Sequence, residues 1–106
     1  MTTRKLIEIE QDLQRHDPGH FSVVVTVIAE GVTLSKEYSY FRTNKAYPIF
    51  KSLIATLRNY EDVDVKLKTA TSFIVSEINS VYDSKGTLAV MLAELLTKNN
   101  ITIKAE

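Results

Sequence analysis

From Val63 the chain alternates, with Val63, Val65 and Leu67 apolar and Asp64, Lys66 and Lys68 charged. A period of two predicts a strand with one face turned inward. From Ser72 the period lengthens to that of a helix, with Phe73, Ile74, Ile78 and Val81 along one side. A strand thus runs through Thr69, Ala70 and Thr71 directly into a helix. The end of such a strand is a favoured place for a site in an open α/β sheet. Here that place holds no charge and no strong ligand.

The same reading carries along the rest of the chain. Residues 3–15 satisfy two patterns. Leu6, Ile9 and Leu13 stand at helical spacing among good helix formers, whereas Ile7 and Ile9 between Glu8 and Glu10 also alternate as a strand does. Local signals favour the helix. His16 to His20 is a turn built on Pro18 and Gly19. Phe21 to Ile28 is a nearly continuous β-branched run, which predicts a strand buried on both faces. After a turn at Ala29-Glu30-Gly31, Val32 to Phe41 makes a second strand and closes a hairpin. Val32, Leu34, Tyr38 and Tyr40 share one face, and Lys36 falls among them, which places this strand near an edge. Thr43 or Asn44 caps the next helix, Pro48 sits in its first turn, and Phe50, Leu53, Ile54 and Leu57 form its apolar stripe. Beyond the central strand–turn–helix, Leu88, Met91, Leu92, Leu95 and Leu96 line a last helix. Ile101 to Ile103 begins a short final strand.

Composition narrows the classes. The 106 residues suit one small domain, 1–106. Without cysteine, disulfides and thiolate metal sites are excluded. The formal net charge is +0, so no global basic field draws in nucleic acid. No apolar run reaches the roughly 18–20 residues of a membrane span, and no signal-like segment opens the chain, so the expected location is cytoplasmic with no membrane partner. His16 and His20 are four apart, a metal-binding spacing on a helix, but Pro18 and Gly19 oppose a helix there. No glycine-rich phosphate loop and no nucleophile elbow is present. The expected cofactors and metals are none.

From residue 21 the order strand, strand, helix, strand, helix, helix, strand implies a mixed sheet. The chain resembles the ribonuclease H fold, with residues 5–12 supplying the first strand. Thr69-Ala70-Thr71-Ser72-Phe73-Ile74-Val75-Ser76-Glu77-Ile78 is similar to that family's Thr-Asp-Ser-x-Tyr-Val-x-x-x-Ile signature. Asn44-Lys45-Ala46-Tyr47 resembles its Asn-x-Ala-Glu helix start, and Asp17-Pro18-Gly19 its first turn. The resemblance implies an α/β fold with a five-stranded mixed sheet and helices packed on it. The family's C-terminal helix is lacking, because the chain ends at Glu106. Against it, Lys5, Glu8, Glu10 and Asp12 make residues 5–12 too charged for a central strand buried on both faces.

The family's enzymes clamp two metal ions with clustered carboxylates, and two hard cations need several oxygen ligands. Checked against that requirement, the chain falls short. The first acid is open to Glu8, Glu10 or Asp12, although the turn register points nearer Gln11. The first helix supplies none, since no Asp or Glu occurs between Glu37 and Glu61. Ala70 replaces the signature's Asp, and the fourth acid lies beyond the chain's end. The expectation is therefore a non-catalytic domain, not an enzyme. Its main reading is a protein-interaction module that self-associates through surface left open by the missing helix. The alternative is a nucleic-acid-binding accessory protein. Between Gly31 and Tyr60, five basic residues face one acid, Glu37. Lys36, Tyr38, Tyr40 and Arg42 interleave cation and aromatic, and Lys45, Lys51 and Arg58 follow, a pattern suited to phosphate contact with base stacking. The same residues also suit a half-buried strand followed by a solvated helix face. A lesser alternative is a metal-dependent nuclease with an unusual acid set. An accessory role in a small bacterial or phage protein fits the same sequence.

Overall fold

The computed structural model describes residues 4–69 and 72–106. The elements are β1 (Lys5–Asp17), β2 (His20–Ala29), β3 (Val32–Tyr40), α1 (Ala46–Leu57), β4 (Val63–Thr69), α2 (Ser72–Asn79), a 3₁₀ turn at Val81–Asp83, α3 (Thr87–Lys98) and β5 (Thr102–Ala105). The five strands form one sheet in the order β3-β2-β1-β4-β5. The two hairpin pairs are antiparallel, and β1–β4 and β4–β5 are parallel. The sheet is therefore mixed, as the crossover and hairpin signals imply.

Residues 5–17 form the central strand, which corrects the helical reading of 3–15. Local helix formers lose here to long-range pairing. Ile7 and Ile9 are 2% and 0% exposed, and they pair across to Val65 and Leu67 on one side. On the other, Ile9 and Gln11 face Val27 and Val25. The charge objection also dissolves. Odd positions of β1 face the helices and the core, while Leu6, Glu8, Glu10 and Asp12 face the opposite side and are exposed. β1 is central yet buried on one face only. The same parity corrects β2: Phe21, Val23, Val25 and Val27 are buried, whereas Val24, Thr26 and Ile28 are only half-buried. The β-branched run reports strand propensity on both faces but burial on one.

Among the described residues, the buried apolar side chains other than Phe21 join one cluster between the sheet and the helices. It includes Val23 and Val25 from β2, Leu53 and Leu57 from α1, Leu67 from β4, Ile74 and Ile78 from α2, and Leu92 and Leu96 from α3. Among the described residues, no helix covers the other face of the sheet.

Local chemistry sets the ends of the elements. Gly19, at φ +78°, follows Pro18 in the β1–β2 turn, and its carbonyl accepts the Thr43 N–H at 3.2 Å. This bond ties the first hairpin to the loop before α1. Glu30 and Gly31 both adopt positive φ, the two-residue turn that suits the strand twist. Asn44 is the capping side chain of α1: its Oδ1 accepts the Ala46 and Tyr47 N–H groups, both at 3.1 Å. Asn79 at the end of α2 pins β5, donating to the Ala105 carbonyl at 3.1 Å and accepting its N–H at 2.9 Å.

Asp64 ties three segments on the open side. Thr102 Oγ1 donates to its carboxylate at 2.6 Å and Arg4 Nε at 2.7 Å. The Thr102 hydroxyl, then Arg4, hold its pKa below the ordinary value. A depressed acid contributes stability that is present above its unfolded pKa and is lost as pH falls through the folded one. Thermal melts of wild type and Asp64→Asn should therefore differ at neutral pH and converge as the pH falls below the ordinary carboxylate range. A difference that does not change with pH would refute this role.

Candidate nucleic-acid interface

β3 is an edge strand, as Lys36 on its apolar side predicts, and α1 runs back alongside it. Residues Lys36, Tyr38 and Tyr40 lie opposite Val25, Val23 and Phe21, so they rise on the helix side of the sheet. Lys36 Nζ stands 5.2 Å from the centre of the Tyr38 ring. Tyr40 meets Tyr47 of α1 edge to face, with ring centres 5.7 Å apart. One turn further, Lys51 Nζ lies 5.9 Å from the Tyr47 ring. Three tyrosines and two ammonium groups therefore share one strip between β3 and α1. Burial, then the neighbouring Tyr38 and Tyr47 phenols, raise the Tyr40 pKa, so this hydroxyl stays a neutral donor.

The other basic residues expected in this site are dispersed. Arg42 sits in the loop beside the first hairpin turn, with its Cα against Gly19 and its backbone at φ +56°. Lys45 occupies the turn into α1. Arg58 lies on the far side of α1, in a groove with Met91, Glu94 and Lys98 of α3. The linear run of positive charge thus overstates the patch. Conversely, sequence reasoning missed Tyr47, Asn59 and Tyr60. The Tyr47–Lys51 pair was detectable from its i, i+4 spacing. Asn59 and Tyr60 come into play only because α1 returns over β2 and β3.

The catalytic positions that the resemblance implies are also in view. Gln11 is 5% exposed and faces α1, beside the end of β4, where its Cα partner is Thr69. Its Nε2 donates to the Ile49 carbonyl at 3.0 Å and to Ser52 Oγ at 3.1 Å. Ser52 in turn donates to Ile49 O at 3.2 Å. Ile49 O only accepts, so the amide orientation is set, and Gln11 Oε1 is left without a partner among the described residues. Glu8, Glu10 and Asp12 all point to the opposite face, so none of these candidate acids reaches α1. Ala70 and Thr71 lie outside the described residues. A donating amide and one neutral oxygen, facing a helix with no carboxylate, do not fit a pair of divalent cations. Among the described residues no group of three or more His, Asp or Glu could hold a metal.

His16 and His20 do meet, with ring centres 4.8 Å apart, but across a hairpin rather than along a helix. His16 Nε2 hydrogen-bonds Ser22 Oγ at 2.7 Å, and His20 stacks on Phe41 at 4.1 Å. Among the described residues, no helix is long and apolar enough to cross a membrane.

No protein-family model matches the chain, and no curated protein matches it significantly. Solved structures do. LC11-RNase H1 in complex with an RNA/DNA hybrid superposes with a TM-score of 0.73 at 21% identity, covering 94% of this chain and 84% of that one. The same RNase H1, isolated from compost by a metagenomic approach, gives 0.73 at 20% identity over 96% and 84%. RNase H1 from the halophilic archaeon Halobacterium salinarum gives 0.69 at 17% identity over 98% and 86%.

These structures overturn the expectation of a self-associating protein-interaction module. The three similar structures named above are RNase H1 structures, one of them in complex with an RNA/DNA hybrid. The apolar surface that would have driven self-association is also missing from much of the uncovered face: along β1, β4 and β5 it presents Glu8, Glu10, Asp12, Lys66, Lys68 and Lys104, with Leu6 the exposed apolar exception. β3 and β5 do stand at the two edges of the sheet.

Proposed function

From the ribonuclease H-like fold that this chain carries, we propose that it binds nucleic acid along the strip between β3 and α1, and holds the strand without cutting it. The observation that carries this reading is the alternation of cation and ring across two elements: Lys36 on Tyr38, Tyr40 on Tyr47, Lys51 on Tyr47. Ammonium groups meet phosphates, and exposed ring faces meet bases. The acid of β3, Glu37, points to the other face of the sheet, so the strip keeps its positive sign. The non-cleaving part rests on Gln11 and on α1, whose residues from Ala46 to Leu57 include no carboxylate. A related fold holding an RNA/DNA hybrid makes that hybrid the first probe to use.

The test is a fluorescence-anisotropy titration of a labelled RNA/DNA hybrid, duplex DNA and single strands, at about 50 and 200 mM salt. The expected result is binding that weakens steeply with salt, with the hybrid intact after incubation with Mg²⁺. Absence of binding to every probe at the lower salt would overturn the reading. Metal-dependent cleavage by purified protein would overturn its non-cleaving part.

A further inference from the structure

Alongside the strip lies a groove of about 380 Å³ between β3 and the end of α1. That size is within the ~300–1,000 Å³ of small-ligand pockets. Val25 and Val27 make its floor, Tyr38 one wall, Asn59 and Tyr60 the other, and Lys36 its charged rim. Leu34, 63% exposed, forms the mouth. Lys36 is the one charged side chain of this lining. We propose that this groove receives a single unpaired nucleobase, and that the chain therefore prefers single-stranded nucleic acid to duplex or hybrid. The inference rests on the nucleic-acid reading above and names its substrate class.

The lining matches the two chemistries of a base. An apolar floor and two phenol rings suit its flat faces. Asn59 Nδ2 turns back to the helix end, towards the carbonyls of Ala55 and Thr56 at 3.5 and 3.4 Å. With Nδ2 engaged there, Oδ1 is the atom of this amide that can accept from an exocyclic amine. Tyr38 and Tyr60, in the same lining, each carry a hydroxyl able to donate. Lys36 at the rim stands where the phosphate next to an inserted base would lie. A base in a helix has both faces stacked and its pairing edge occupied, so it can present neither to such a groove. Only an unpaired base, or one first extruded at a cost, can enter.

The experiment compares a ten-nucleotide single strand with the same sequence as an RNA/DNA hybrid. It uses the whole chain, with circular dichroism to check folding of each variant. The expected single-strand affinity is roughly tenfold higher than that for the hybrid, as one stacked base implies. Tyr38→Ala should remove that difference, and so should Leu34→Ala in part, a change at an exposed position that leaves the core untouched. Irradiation of a 5-iodouracil-substituted strand should crosslink at Tyr38 or Tyr60. Equal or tighter binding of the hybrid, or crosslinks only outside the groove, would overturn the inference while leaving the binding reading intact. Failure of both probes to bind would overturn both. A concentration-dependent dimer abolished by Tyr38→Ala would place a second copy in the groove and also refute the inference.

Discussion

Gln11→Glu should destabilise the protein by about 3 kcal/mol at neutral pH, because it buries a carboxylate where nothing can pair with it. The replacement has nearly the same shape, so packing stays constant and charge is what changes. Gln11 is 5% exposed, and its amide nitrogen lies 3.0 Å from the Ile49 carbonyl. An ionised oxygen there would face another acceptor. Only the Ser52 hydroxyl could turn to donate, and it would give up its own bond to Ile49 O. The glutamic acid should therefore keep its proton, with a folded-state pKa raised above the unfolded value of about 4.3. The sign follows: the cost is absent below that unfolded value and grows as pH rises towards the folded one. Urea midpoints of variant and wild type should converge near pH 4 and separate at pH 7. An equal loss at both would show a packing defect instead. Gln11→Met, which removes the partnerless oxygen along with two hydrogen bonds, should cost only about 1 kcal/mol at either pH. Neither variant should cleave a hybrid with Mg²⁺, since α1 still offers no carboxylate.

Gln11 also shows where sequence reading reaches its limit. The register of the turn at Pro18 points to Gln11, but three acids, Glu8, Glu10 and Asp12, compete with it on composition. Only the parity of β1 decides, and that parity is set by pairing with β2 and β4, whose residues are distant in the chain. The same distance explains the helical misreading of residues 3–15. Elements whose signals are local were legible: the alternation of Val63–Leu67, the turns at Pro18-Gly19 and Glu30-Gly31, the Asn44 cap, and the stripes of α1 and α3. Burial of the sheet on one face was not legible, because Val24 and Ile28 look like core residues and are half-buried. For the interface, sequence placed Lys36, Tyr38 and Tyr40 correctly on one side of an edge strand. It grouped Arg58 with them, although α1 turns that residue towards α3, since a linear count of charge ignores which way a helix turns each residue. The groove was invisible, because it exists only where Asn59 and Tyr60 close over β3.

The largest functional effect should come from Lys36→Glu combined with Lys51→Glu. The pair removes two cations from the strip and places two anions beside the path of the strand. Both side chains are accessible and neither belongs to the core, so folding should be unaffected. If each lysine meets one phosphate, the slope of log affinity against log salt should shrink by about 1.4 for a single strand or 1.8 for duplex. At low salt, affinity should fall roughly a hundredfold, because repulsion adds to the lost contacts. A net-charge effect alone could mimic part of this, since the chain starts at +0 and the double variant moves it four charges negative. Lys66→Glu with Lys68→Glu supplies the control. It changes net charge identically but on the open face of the sheet, across from Glu8 and Glu10. If binding is local to β3 and α1, this second pair should lower affinity only a few-fold and leave the salt slope unchanged. Equal losses from both pairs would mean that affinity follows global charge, and the strip would lose its claim. A larger loss from Lys66 and Lys68 would move the binding surface to the opposite face.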